Sequence, residues 1–181
     1  MSAPSTRDTI LDAAQRIAAE RGAGRITLDE VARESGLSKG GLLYHFATKE
    51  ALLQAMLERL IARTSAVRAS HEQTFTGQPW SVLRAMLATR MNPHVLDPSV
   101  AMAILTAVAE KPALLDPLRE YIQQMRERIL GESGESPTTW LLWAAADGLM
   151  FQELLDISPV PADQRDRVHQ HLQQLAEDLL K

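Results

Sequence analysis

The chain has 181 residues, 45% of them hydrophobic, no cysteine, and a formal net charge of −4. That length suits one large or two small domains, and the absence of cysteine excludes a disulfide framework and thiol chemistry. A net acidic chain is not a general polyanion binder, but the charge is uneven: residues 1–50 hold seven Lys/Arg and seven Asp/Glu, whereas residues 51–181 hold twelve and sixteen. The opening MSAPSTRDTI has no apolar core of a signal peptide. The apolar run Trp140 to Ala146 is far shorter than the roughly 18 residues needed to cross a bilayer. The expectation is a cytoplasmic protein with no membrane partner.

In chain order, the first element is an amphipathic helix, ILDAAQRIAAERG, from Ile10. The next stretch, Thr27 to Glu50, carries the most specific chemistry. Thr27 and Glu30 have the spacing of a capping box: the Thr hydroxyl accepts from the Glu30 N–H while the carboxylate returns to the Thr27 N–H. Ile26 and Val31 occupy the two positions of a hydrophobic staple. The helix stops at Gly36, suited to a left-handed C-terminal position. Leu37 plugs the turn and Ser38 caps the next helix. Two helices separated by about three residues around a glycine form a helix-turn-helix unit.

The second of these helices has no acid in its first turn and begins Lys39, Gly40, Gly41. Each glycine costs about 1 kcal/mol against Ala in a helix interior. A backbone without Cβ can approach another surface closely, and bare N–H groups at a helix start favour an anion. Lys39 is placed for a base edge or a phosphate, and Tyr44 and His45 can donate to phosphate from the far end. Leu42 and Phe46, four apart, form the core-facing edge. Thr48 caps a third start with Lys49 in its first turn, a second candidate phosphate clamp.

Beyond Lys49 the pattern is helical throughout. Helices are expected over 48–71 with an apolar face of Leu53, Met56, Leu57, Leu60, Ile61 and Thr64, then 80–91, 99–109, 117–130, 136–156 and from Ser158 to about Leu180. A polar loop is expected from Gly131 to Ser136. The final helix carries Val168, Leu172, Leu175 and Leu179 as a narrow apolar seam. The helix before it, TTWLLWAAADGLMFQELL, is apolar nearly all round and so buried on several sides. With Gly148 allowing a close crossing and Phe151 on a second face, the two helices are candidates for a homodimer interface built as a four-helix bundle.

The segments ILDAAQRIAAERG and ITLDEVARESGLSKGGLLYHFATKEALL resemble the TetR family of bacterial transcriptional repressors. The resemblance is close over about the first third of the chain and extends to the rest in helical layout. It implies an all-α fold of about nine helices: a three-helix DNA-binding domain over 1–50 and a helical ligand-binding and dimerisation domain over 51–181. It implies DNA contacts at Thr27, Ser38, Lys39, Gly40, Tyr44, His45 and Lys49. Gly41 stands where members often read a base, and Leu43 where many have Tyr. It further implies a small-molecule effector site. Candidate lining residues are Met86, Met91, Met102, Leu105, Trp140, Trp143 and Met150, apolar and adaptable. Asp147, an acid within AAADGLMF, meets a cationic ligand, anchors a buried hydrogen-bond network or sits at the edge of the dimer interface, the structural role being favoured.

The leading reading is a dimeric, ligand-responsive repressor on a palindromic operator of double-stranded DNA. An enzyme is disfavoured: there is no cysteine nucleophile, no Gly-rich phosphate loop after a strand, and no cofactor motif. No metal site is expected, because His169 and His171 point to different faces of one helix. His94 reads as a solvated loop residue. A dimeric interaction module that has lost DNA binding is the remaining alternative, motivated by Gly41 and Leu43.

Overall fold

The computed structural model describes residues 5–22, 25–92 and 95–179. Pro93, His94 and Leu180 lie outside them, so the expectations for His94 and for the last helix end fall outside the described residues. Among the described residues there are nine α-helices and no strand. They are α1 (Thr6–Arg21), α2 (Leu28–Ser35), α3 (Lys39–His45), α4 (Lys49–Thr74), α5 (Ser81–Arg90), α6 (Pro98–Val108), α7 (Asp116–Ser133), α8 (Pro137–Leu154) and α9 (Arg165–Leu179), with short 3-10 turns at Pro112–Leu115 and Ala162–Gln164.

Most helix starts are set by local chemistry. Ser5 accepts from the Asp8 N–H at 3.1 Å and donates its hydroxyl to the Asp8 carboxylate at 2.7 Å. That hydroxyl holds the Asp8 carboxyl below its ordinary range. Asp97 caps α6, ahead of a proline at its first turn. The polar loop expected from Gly131 is corrected: α7 continues to Ser133. Its Glu132 carboxylate accepts from the Ser81 N–H at 2.8 Å, the Ser81 hydroxyl at 2.6 Å and the Val82 N–H at 2.9 Å. Extending α7 by a turn thus supplies the cap of α5. The residue before α5, Trp80, takes a left-handed backbone and has no side-chain cap of its own to offer.

The chain divides into two compact units, and they do not follow chain order. The first comprises residues 1–61 and 97–120, the second residues 62–96 and 121–181. The boundary expected after residue 50 therefore falls inside the first unit. The reason is burial. Leu52, Leu53, Ala55, Met56 and Leu57 of α4 join one core with Ile10, Leu11 and Ile17 of α1, Ile26, Val31, Leu42 and Phe46. Val100, Ala103 and Ile104 of α6 complete the same core. Gln15 of α1 donates to the Asp97 carboxylate, which ties the start of α6 to this unit by a polar contact as well. The second core is formed by Leu83, Met86, Leu87, Met91, Met125, Ile129, Leu142, Ala146, Leu172 and Ala176.

Candidate nucleic-acid interface

Helix α2 begins at Thr27, whose hydroxyl accepts from the Glu30 N–H at 3.2 Å. Only this arm of the expected capping box forms. The Glu30 carboxylate accepts from Arg21 at 2.6 Å and from Arg33 instead. A guanidinium is a better partner for a carboxylate than one neutral N–H, so the return arm is outcompeted. Ile26 and Val31, the staple positions, are both fully buried. Helix α2 ends at Gly36, with φ +73°. The Leu37 N–H returns to the Ala32 carbonyl at 3.0 Å and the Gly36 N–H to the Arg33 carbonyl at 3.3 Å, the paired bonds of a Schellman turn. Leu37 packs against the first core as the expected plug.

Helix α3 then starts at Ser38, which accepts from the Gly41 N–H at 3.1 Å. Its first turn carries no acid. Leu42 is fully buried and Phe46 nearly so, which fixes the rotation of the helix about its axis. The opposite side is left open: Tyr44 is 87% exposed, and Ser38, Lys39, Gly40, Leu43 and His45 are exposed too. The Tyr44 ring meets His45 edge-on at 5.2 Å between centroids. A Cβ at Gly40 would meet open space, whereas one at Gly41 would come within 3.3 Å of the Ser38 hydroxyl. The second glycine therefore has a reason inside the protein, namely room for the cap.

Two features of this face depend on residues distant in sequence. Lys39 is not free: its ammonium lies 2.8 Å from the exposed Asp29 carboxylate. Helix α4 also has a start occupied by its own chain. Thr48 accepts from the Ala51 N–H at 3.1 Å, and Glu50 in the same turn pairs with Lys111 at 2.9 Å. The Glu50 carboxyl is held down to about 2, first by the hydrogen bond from Lys111, then by its own N–H and the Thr48 hydroxyl. The α4 start thus carries a fixed negative charge beside Lys49, where the sequence suggested an open phosphate clamp. Lys49 itself has no acid partner among the described residues.

Of the candidate ligand residues, Met86 and Met91 are buried in the second core, Trp143 packs against it, and Trp140, Asp147 and Met150 are half-buried in that unit. Met102 and Leu105 belong to the first unit, on α6, and are exposed. Both Asp147 oxygens are engaged. Trp143 donates its indole N–H to Oδ2 at 2.8 Å, and Arg90 Nε lies 2.7 Å from Oδ1, close but off hydrogen-bond alignment. Arg126 stacks over Trp140, which tilts against Trp143.

The candidate dimer residues divide. Leu172 is turned into the second core with Ala176, and Val168 is half-buried, while Leu175, Leu179 and Phe151 are exposed. The seam expected on α9 is thus divided: Leu172 is spent on the unit's own core, where an amphipathic helix buries its most apolar stripe, and Leu175 and Leu179 remain exposed. A Cβ at Gly148 would meet open space. His169 lies 3.0 Å from Glu153, and among the described residues no three His, Asp or Glu side chains gather as a metal site would require.

The sequence of residues 10–56 matches the family described as bacterial regulatory proteins, tetR family. Residues 80–177 match the Tetracyclin repressor-like, C-terminal domain. The chain belongs to the TetR family. Among characterised TetR-type relatives, it is 32% identical to the HTH-type transcriptional regulator AcrR of Shigella flexneri over 54% of this chain and 43% of the relative. It is 30% identical to the HTH-type transcriptional regulator TtgR of Pseudomonas putida over 71% of this chain and 60% of the relative. The TetR chain thus spans about two-fifths to three-fifths of the length of these relatives. A transcriptional regulator from Rhodococcus sp. Rha1 shares the fold with a TM-score of 0.71 at 24% identity, covering 97% of this chain and 96% of that one. The multidrug binding protein EbrR complexed with malachite green does so with a TM-score of 0.71 at 24% identity, covering 98% and 99%.

Proposed function

We propose that this chain is a transcriptional repressor that reads DNA through α3 and is released by a small apolar molecule. The observation that carries this reading is the two-sidedness of α3. One side is anchored by fully buried Leu42 and by Phe46, and the other presents Lys39, Gly40, Tyr44 and His45 to solvent from a helix start without an acid. A rigidly held helix with small residues at its start and donors at its end suits a major groove. Thr27, Ser38 and Lys49 would donate to flanking phosphates, and Gly41 would bring backbone rather than side chain to the bases. With no side chain there, specificity rests partly on DNA shape.

The protein works as a homodimer on a palindromic operator, with its two α3 helices about 34–36 Å apart. Support for the dimer is the exposed apolar surface of the second unit: Leu141, Phe151, Leu155, Ile157, Leu175 and Leu179. Such surface is costly in water unless covered by a partner. The effector site lies among Met86, Met91, Trp140, Trp143 and Met150, apolar and adaptable side chains. Helix α4 runs through both units, so an effector that favours one disposition of α4 alters the spacing of the α3 pair. The relatives being regulators, the chain acts by binding rather than turnover, in the cytoplasm. Among the described residues no helix is long and apolar enough to cross a membrane.

The test is fluorescence anisotropy of the purified protein on the DNA upstream of its own gene, against unrelated DNA, at two salt concentrations. Tight binding to the first that survives the higher salt is expected. Equal, salt-sensitive binding to both, or none, defeats the operator assignment.

A further inference from the structure

We propose that Arg25, which is not among the DNA contacts that the family resemblance implies, is a phosphate anchor of the DNA-reading face, and that it supplies a larger share of the salt-dependent affinity than Lys39. The inference rests on the DNA-reading proposal above.

The first unit contains ten cationic side chains. Eight of them have a carboxylate within 4 Å: Arg7 with Glu58, Arg16 with Glu34, Arg21 with Glu30 and Glu34, Arg33 with Glu30, Lys39 with Asp29, Arg59 with Asp12, Lys111 with Glu50, and Arg119 with Asp116. Only Arg25 and Lys49 have no acid partner among the described residues. A paired cation that turns to a phosphate leaves its carboxylate facing a polyanion, so much of what it gains is lost again. An unpaired one has no such cost and releases a DNA counterion in full.

Arg25 and Lys49 differ in surroundings. Lys49 is half-buried and adjoins Glu50, ionised throughout the neutral range. Arg25 is exposed and lines an open recess of about 580 Å³ with Arg21, Thr27 and Glu30. The one acid in that recess, Glu30, is over-matched. Glu30 and Glu34 together are held by three arginines, Arg16, Arg21 and Arg33, leaving a surplus of one positive charge before Arg25 is counted. Residues 1–50 are neutral as a whole, so this corner is cationic against a neutral background. The guanidinium presents donors in a planar fork that matches two oxygens of one phosphodiester. Thr27 lies on the same recess. Its oxygen accepts from the Glu30 N–H, which leaves the hydroxyl proton to donate to the same anion. A phosphate contact carries no base information, which separates Arg25 from α3: it should strengthen binding to any duplex.

The experiment uses the full chain and a duplex selected by the wild-type protein from random-sequence DNA, with an unrelated duplex of equal length beside it. Anisotropy is measured from 50 to 200 mM salt for the wild type, Arg25→Ala, Arg25→Lys, Lys39→Ala and Arg119→Ala. Arg119 loses the same charge from the same unit but is held by Asp116 and the Pro112 carbonyl. For Arg25→Ala the expected result is a loss of about tenfold or more on both duplexes. The slope of log K against log salt should be shallower by about 1.8 for a dimer, since each phosphate contact contributes about 0.9. Arg25→Lys should keep the slope and lose part of the affinity. Lys39→Ala should change the slope less than Arg25→Ala, and Arg119→Ala should not change it. An unchanged slope for Arg25→Ala, a loss confined to the selected duplex, or an equal slope change for Arg119→Ala overturns the inference while the DNA-reading proposal stands. A wild type that selects no duplex brings down that proposal and this inference with it.

Discussion

The charges of the two units are arranged on opposite plans. In the first, ion pairs such as Asp29–Lys39 and Glu50–Lys111 lie in water, with Asp29 and Lys39 both mostly exposed. In the second, Arg90–Asp147 and Arg68–Glu72 are largely withdrawn from it: the Arg90 and Arg68 side chains are 11% and 10% exposed. Exposed pairs contribute little to stability, so they are free to regulate how strongly a surface attracts an anion. Withdrawn pairs contribute little net energy when intact but a large loss when one partner goes, because a buried charge is then left alone. The Glu72 carboxyl shows this opposition: burial pushes it up, but Arg128 and Arg68 outweigh that and hold it below its ordinary range. The same contact type is therefore left in water in one unit and packed into the other.

The largest expected effect follows from breaking a withdrawn pair. Asp147→Ala strands Arg90 and removes the acceptor of the Trp143 indole, and should destabilise the protein by about 3 kcal/mol in denaturant titration. Asp147→Asn, which keeps an acceptor for Trp143, should lose less. Next come the residues of the α3 face. Lys39→Ala and Tyr44→Ala should each weaken binding to the selected duplex by roughly tenfold, a change of about 1.4 kcal/mol, and leave the thermal midpoint within a degree or two. If either unfolds the protein, the exposed side of α3 is doing structural work and the contrast between the units is wrong.

A smaller effect of opposite sign is expected at Asp29. Asp29→Asn releases Lys39 from its pair and removes a negative charge from the reading face, so DNA affinity should rise a few-fold and the salt dependence should steepen. No loss-of-contact argument anticipates a gain, which makes the direction a clean test by anisotropy. The smallest effect is at Lys111. Lys111→Ala removes the main cause of the low Glu50 pKa, and a carboxyl titration by NMR should find it raised from about 2 towards the ordinary 4.5. The sign for stability follows. A depressed folded-state pKa gives a contribution that is complete above about 4.5 and lost as pH falls towards about 2, so at neutral pH the pair is fully formed and pH does not regulate it.

The helix-turn-helix was legible because its determinants are local. Thr27, Ser38 and Thr48 each cap a backbone N–H three residues on, and Gly36 supplies one left-handed residue, all within reach of a short segment. Leu42 and Phe46 announce the inward side of α3 by their spacing alone. The expectation for α9 was only partly legible, for a related reason: Leu172 lies in the unit's own core while Leu175 and Leu179 stay exposed. Periodicity locates an apolar stripe but does not say whether a residue such as Leu172 spends it on its own unit or on a partner. The loop expected at Gly131 failed because the gain from Glu132 capping α5 arises about fifty residues away in sequence.

By itself, then, the sequence determined the nine helices found among the described residues, the turn that presents α3, and the residue types on its open side, since these follow from hydrogen bonds and burial patterns spanning a few residues. Several helix ends it missed, most of all the last helix, expected from Ser158, which begins at Arg165 after a 3-10 turn. Tertiary structure alone decided three things: that α6 completes the first core, that Asp29 and Lys111 engage Lys39 and Glu50, and that Arg25 is left without an acid. The physical reason is that a carboxylate pairs with whichever cation folding brings within a few ångströms, and a formal charge written along a chain does not say which cation will be left over.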